Sequence, residues 1–357
     1  MWADTARGIC YFDSIIQLFC RVVSATADFE CSGRDKPSRV NFLLMQYLVR
    51  GLLGTVWLKN IPVLRSIWWK LYKDVRQAKP EKIKIKMHGY IASQPVGYTY
   101  AFTSRLFKNF NNPLIECIYQ THKAVNKKIS IVDIGAAIGD TVFLLKANCP
   151  DMIGQYYCID GDDEFFGYLQ ENMSQFSDVR SIKALLSDTN SNVSSLVRIH
   201  AGTASALGDE KVAAVSLDEV VALNGINAID VLKVDVDGYD GKVIKGAIDS
   251  IKKFTPTVIF EWHPKLYRNA QTDYLTPFRE LSANGYETFI WFTKTGSFSH
   301  YSKGFDADYV QQFSEICLQN HIDDDWHYDI VSFHSTSPLS VLEFANSDYS
   351  RNKKSPF

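Results

Sequence analysis

The stretch Ile131-Val132-Asp133-Ile134-Gly135-Ala136-Ala137-Ile138-Gly139-Asp140-Thr141 joins a β-branched run, a carboxylate, two spaced glycines and a helix start. At such a turn the first helical N–H groups have no partner inside the helix, and glycine lets a ligand or a second backbone come close. That chemistry suits a cofactor bearing a nucleoside. Gly135 and Gly139 do not form the G-x-G-x-x-G of dinucleotide binding. The acid that holds a ribose is in place, because Tyr156-Tyr157-Cys158-Ile159-Asp160 reads as a second strand ending in a carboxylate 21 residues beyond Gly139. An aspartate closing the first strand suggests a ligand without a pyrophosphate, which favours S-adenosylmethionine over NAD.

Later strands also end in acids. Ser187 and Asp188 follow the third, Asp235 and Asp237 the fourth, and Glu261 and His263 the fifth. Ligands of open parallel sheets bind beyond the carboxyl ends of the strands, so this set points to a site. The two-residue period of a strand puts Lys233, Asp235 and Asp237 on one face. In apolar flanks these charges need pairing or a cleft, and Lys233 is expected to pair with one aspartate. His263, Asp235 and Asp237 are the candidate proton acceptors, with Glu261 orienting His263. A divalent cation on Asp235, Asp237 and Glu261 is the less favoured reading, and no metal is assigned. The run His321-Ile322-Asp323-Asp324-Asp325-Trp326-His327 reads as a polar loop.

The elements that must hold these residues alternate between strand and helix patterns. Strands are expected near 131–135, 155–160, 180–186, 229–236, 256–262, 286–292 and 328–334. Helices are expected near 100–128, 139–148, 163–175, 216–223, 239–252, 272–283 and 307–319. Seven strands with helices between them make a doubly wound α/β sheet. Thr293 to Ser297 reads as a hairpin turn, Lys82 to Lys86 as a strand with one wet face, and Arg351 to Phe357 as a disordered tail. Four regions result: an N-terminal helical extension over 1–80, a lead-in strand and helix over 81–130 that could cover the acceptor, the main domain over 131–338, and a tail over 339–357.

The net charge is −2, so nothing global implies nucleic acid. The charge is unevenly spread: Lys59 to Lys86 holds nine basic and two acidic residues. Within it Val63, Leu64, Ile67, Trp68, Leu71, Tyr72 and Val75 recur at helical spacing, with Arg65, Trp69, Lys70, Lys73 and Arg76 on the other face. Such a helix either packs its apolar face on the main domain or meets an anionic membrane surface, here through residues 56–79. Seven cysteines, at 10, 20, 31, 117, 149, 158 and 317, form no C-x-x-C pair and suggest reduced thiols in a cytoplasmic compartment. The N-terminus does not read as a signal peptide, and no apolar run is long enough to span a bilayer.

The stretch Leu232-Lys233-Val234-Asp235-Val236-Asp237-Gly238-Tyr239-Asp240, followed by Val243-Ile244-Lys245-Gly246-Ala247, resembles the signature of FkbM-type methyltransferases. The run Asp133 to Thr141 is similar to that family's cofactor turn, and Val215 to Glu219 and Ile259 to Pro264 are similar to its flanking blocks. The resemblance covers about residues 82 to 335, with aspartates at 237 and 240 where the family has glutamates and Asp160-Gly161 where it has Glu-Pro. It implies a class I methyltransferase (Rossmann-like) fold that uses S-adenosylmethionine, often to methylate a hydroxyl of a sugar or glycan. Asp133, Gly135, Ala136, Gly139, Asp140 and Thr141 would then line the methionine end, Asp160 would hold the ribose, and Ser187 and Asp188 would lie near the adenine. The N-terminal segment would bring the enzyme to a lipid-linked acceptor. The rival readings are an NAD-dependent oxidoreductase and a non-catalytic cofactor-binding protein of the same fold.

Overall fold

The computed structural model describes residues 39–77, 81–189, 191–194, 197–200, 203–205, 211–319 and 326–347. The helix and linker expected before residue 39, residues 321–325 of the His321 loop, and the Arg351–Phe357 tail lie outside them. In chain order the helices α1 (Arg39–Gly54) and α2 (Pro62–Arg76) precede a hairpin of β1 (Lys82–Met87) and β2 (Tyr90–Pro95), then α3 (Tyr100–Leu106) and α4 (Asn112–Val125). The first crossovers follow as β3 (Ile129–Ile134), α5 (Asp140–Asn148), β4 (Ile153–Asp160), α6 (Asp163–Met173) and β5 (Val179–Lys183). Two small antiparallel pairs come next, β6 (Ser191–Ser194) with β9 (Lys211–Ala214), and β7 (Val197–His200) with β8 (Thr203–Ser205). The second half runs α7 (Leu217–Leu223), β10 (Val231–Val234), α8 (Asp240–Lys245), α9 (Ile248–Phe254), β11 (Thr257–Trp262), α10 (Pro264–Asn269) and α11 (Thr276–Ala283). It closes with β12 (Tyr286–Thr293), β13 (Phe298–Lys303), α12 (Ala307–Gln319), β14 (Tyr328–His334) and α13 (Val341–Asn346).

The main sheet has the order β13-β12-β14-β11-β10-β3-β4-β5. Strands β5, β4, β3, β10 and β11 are parallel, and β14 is inserted antiparallel between β11 and β12. This is the class I methyltransferase, Rossmann-like arrangement with one strand added at the edge. The expected seven strands become eight because β13 returns from the Thr293–Ser297 turn and pairs with β12. Strand order reverses between β3 and β10, the switch point where such sheets bind ligands.

Alternation along the strands sorts the core into two layers. Ile131, Val231, Ile259 and Val331 face a layer that includes α1, α2, the β1–β2 hairpin and α4 to α6. Val132, Leu232, Val258 and Trp262 face a layer built by α7 to α12. Trp68, Leu71, Tyr72 and Val75 of α2 are buried, so the apolar face of that helix packs inward. No helix among the described residues is long and apolar enough to cross a membrane.

Two helices expected as single elements are broken, and a third starts late. The 100–128 stretch divides between α3 and α4, and 239–252 divides at Gly246 and Ala247 into α8 and α9. The 272–283 stretch starts only at Thr276, after the unforeseen α10, because Pro264 and Pro277 each open a new helix. Part of the expected tail is ordered as α13, whose Phe344 stacks on Phe333.

Gly246 has a packing reason. A Cβ there would overlap the Ser187 carbonyl oxygen and press on Asp188 Cα. Gly246→Ala is therefore expected to destabilise the fold by about 2–3 kcal/mol, read as a lower midpoint in urea unfolding at unchanged slope.

Candidate functional site

The site is built on one buried ion cluster. Asp133 of β3 and Lys233 of β10 are paired in register across the switch point, so both side chains lie on the same face. Lys233 Nζ donates to Asp133 Oδ1 at 3.0 Å and lies 3.2 Å from Asp235 Oδ2. The expected pairing with one aspartate is thus a pairing with two. Burial pulls the Lys233 ammonium down, but Asp133 and Asp235 outweigh it and hold the group above the ordinary lysine value. Asp133 Oδ2 is buried and has no hydrogen-bond partner among the described residues. The strand period does not reach Asp237. The strand ends at Val234, and Asp237 sits in a turn with φ 50°, so the two-residue period no longer applies to it.

The glycine turn rests on this cluster. Asp235 N–H donates to the Ile134 carbonyl, and a Cβ on Gly135, whose φ is 77°, would overlap the Asp235 carbonyl oxygen. Gly135 and Ala136 both donate to the Ile159 carbonyl, which ties the turn to the end of β4. Asp160 completes the tie, since Oδ2 accepts from Ala137 N–H at 2.8 Å and Oδ1 from Asp162 N–H at 2.9 Å. Each carboxylate oxygen keeps a further lone pair. Burial raises the Asp160 carboxyl to about 7. Gly139, with φ 86°, opens α5, where a Cβ would press on the Met173 side chain. Asp140 and Thr141 are buried in the first turn of that helix.

Two residues that sequence reading missed brace the turn from above. Tyr98 hydroxyl donates to Asp140 Oδ2 at 2.8 Å, and burial raises the Asp140 carboxyl to about 6. Asn172 donates to the carbonyls of Ile138 and Ser93 and accepts from Ser93 N–H, which joins α6, the turn and β2. Neither has a local motif; only the packed hairpin brings them here.

Beyond the switch point the acids form a row. Glu261 of β11 lies opposite Asp329 of β14 in register, and a cleft is lined by Lys233, Asp235, Glu261, Asp329, Asn111 and Leu114. Burial, with Asp235 and other acids nearby, holds Glu261 well above the usual carboxylate range and raises Asp329 to about 7. The side chain of Asp235 is 47% exposed and opens to solvent. Glu261 was expected to orient His263; a second imidazole, that of His327, has its Nδ1 3.0 Å from Glu261 Oε1. His263 is buried at the start of α10, and its ring centroid lies 6.0 Å from that of His327. Topology brings His327 there: β14 inserts beside β11 and carries His327 and Asp329 to the same edge.

Ser187 is buried against Gly246, and Asp188 pairs with Lys245 at 3.3 Å, so both engage the far end of α8. Among the described residues, no three His, Cys, Asp or Glu side chains are grouped to hold a metal ion. The near-neutral carboxyls give a testable sign. Asp329, at about 3.9 when unfolded, binds its proton more tightly in the fold, so its contribution to stability is full below pH 4 and lost as pH rises through about 7. Asp329→Asn removes that loss. Its melting temperature relative to the parent chain should rise between pH 5 and 8, and a constant difference would contradict the assignment.

Residues 116–288 match the model of the methyltransferase FkbM domain. No curated protein matches the chain. Similar solved structures include the methyltransferase FkbM from Methylobacillus flagellatus KT, with 14% identity and a TM-score of 0.37 over 58% of this chain. This chain spans 44% of that protein. The precorrin-6y C5,15-methyltransferase from Geobacter metallireducens has 11% identity and a TM-score of 0.31, covering 61% of this chain and 86% of that one. TYW2 from M. jannaschii, in complex with AdoMet, has 14% identity and a TM-score of 0.33, covering 72% of this chain and 88% of that one. The signature blocks lie at the strand ends where the fold places its site, and residues 116–288, just under half of the chain, are those that match the methyltransferase FkbM domain.

Proposed function

We propose that the chain is an S-adenosylmethionine-dependent O-methyltransferase acting on a hydroxyl of a glycan or related polar acceptor. The observation that carries this reading is the Glu261–His327 pair beside Lys233 and Asp235, at the carboxyl edge of the sheet next to the glycine turn. The residues present fit the cofactor. Gly135 brings the turn against β10, Asp160 has lone pairs left for two ribose hydroxyls, and the buried Asp133 Oδ2 lacks a partner among the described residues. S-adenosylmethionine, when bound, supplies an electrophilic methyl group on a sulfonium. The surrounding carboxylates favour that cationic ligand by charge.

The chain itself has two tasks, to align the acceptor oxygen and to take its proton. Alignment can contribute about 7–11 kcal/mol in favourable cases. Lys233 fixes the Asp235 carboxylate at the mouth of the cleft, and Asn111 of the N-terminal layer supplies an amide on the opposite wall. Proton removal falls to His327 with Glu261 on its Nδ1 side, or to Asp235 directly. His263 and Asp237 flank these groups on the same edge. Beside the half-exposed Asp235 carboxylate, anionic acceptors meet like charge, so neutral polyols are the favoured class.

The test is transfer of labelled methyl from S-adenosylmethionine to a panel of neutral and uronate-containing glycans. Methylation of neutral members is expected, with His327→Gln lowering kcat about 10²- to 10⁴-fold at unchanged affinity for S-adenosylhomocysteine. No transfer to any acceptor, or full activity in His327→Gln, contradicts the proposal.

A further inference from the structure

The inward side of α2 is spent on the core, but its outward side carries a second pattern. Arg65, Trp69, Lys73 and Arg76 recur at four-, four- and three-residue steps and so share one stripe. Lys70 lies beside it, and Asp74 is the single acid of the helix. Arg65, Lys70 and Lys73 are exposed, and neither Lys70 nor Lys73 has an acidic partner among the described residues. Aromatic and aliphatic groups stand among them in water: Tyr47 is 57% exposed, Trp57 50%, Ile67 44% and Trp69 36%. Trp69 is held upright rather than loose, edge-on to Trp68 at 5.2 Å and to Tyr72 at 5.5 Å. The exposed positions of β1 add Lys84 and Lys86 to the same layer.

We infer that this face docks on an anionic lipid bilayer. Two features select that partner. The charge is positive and unpaired while the catalytic cleft is acidic, so a surface of opposite sign is favoured. The exposed apolar groups are tryptophans, a tyrosine and an isoleucine interspersed with lysine and arginine, the mixture that settles at the headgroup level of a bilayer. A second copy of the chain would bring like charge against like charge. The helix lies parallel to the membrane in this arrangement, with Trp57 and Trp69 at the acyl boundary and the cations among the headgroups. The inference stands on the surface alone and does not depend on the reaction proposed above.

The experiment is co-sedimentation of the full chain with phosphatidylcholine vesicles and with vesicles containing a third phosphatidylserine, at 0.1 M and 0.5 M salt. Binding only to the anionic vesicles, weakened by salt, is expected. Each neutralised cation should weaken partitioning about fivefold, so Lys70→Ala/Lys73→Ala should lose about 25-fold at an unchanged melting temperature. Trp57→Ala should weaken it independently of salt. Equal binding to both vesicle types, undiminished binding by the double variant, or no binding by the full chain overturns the inference. Retention of an RNA oligomer without vesicle binding also overturns it.

Discussion

A lysine shared by two aspartates at the reversal of strand order is the constraint on which the site depends. Asp133 comes from β3 and Asp235 follows β10, so Lys233 fastens together the two strands whose loops diverge to form the crevice. The environment is buried, and removing the lysine would leave carboxylates without a counter-ion, a change that costs about 3–5 kcal/mol in comparable buried pairs. The same fastening sets the main-chain geometry. With β10 held against β3, the Asp235 carbonyl lies where a side chain on residue 135 would stand, and glycine becomes obligatory. A polar cluster thus dictates a backbone conformation one residue beyond each strand.

From that anchor the charge pattern of the edge follows. Asp160, Asp235, Glu261 and Asp329 stand at or just beyond the ends of four strands and on one face, and Lys233 offsets Asp235. Burial then makes proton release from these groups costly, and Asp160 and Asp329 are held at about 7. Carboxyls poised near neutrality suit proton transfer and binding of a cationic cofactor. The N-terminal layer completes the enclosure. Tyr98 reaches Asp140, and Asn111 faces the acid row, so the residues before β3 are a wall of the site as well as a support for the sheet.

Much of this was legible in the chain because strand ends are local. The run from Ile131 to Thr141 announces both the turn and its helix, and β3, β4, β10 and β11 lie within two or three residues of where alternation and acid-terminated runs place them. Lys233 pairing was also readable, since a cation in an apolar run has few ways to survive. What sequence could not supply was long-range order. The insertion of β14 beside β11 makes His327 the neighbour of Glu261, and a local reading prefers His263 two residues away. Periodicity is no guide at Asp237, because the strand stops three residues earlier and the turn takes a left-handed dihedral. Tyr98 and Asn172 have meaning only once the β1–β2 hairpin has folded onto α6.

On the proposed reading, the glycine turn and the loop after β10 form one binding surface for the methyl donor, fastened by Lys233. Amide hydrogen exchange with and without S-adenosylhomocysteine, with NAD as the parallel ligand, tests it most directly. The account predicts slower exchange confined to residues 133–141, 160–162 and 235–240 with S-adenosylhomocysteine and none with NAD. Protection by NAD in its place, or protection by S-adenosylhomocysteine that spares these three segments, would contradict it.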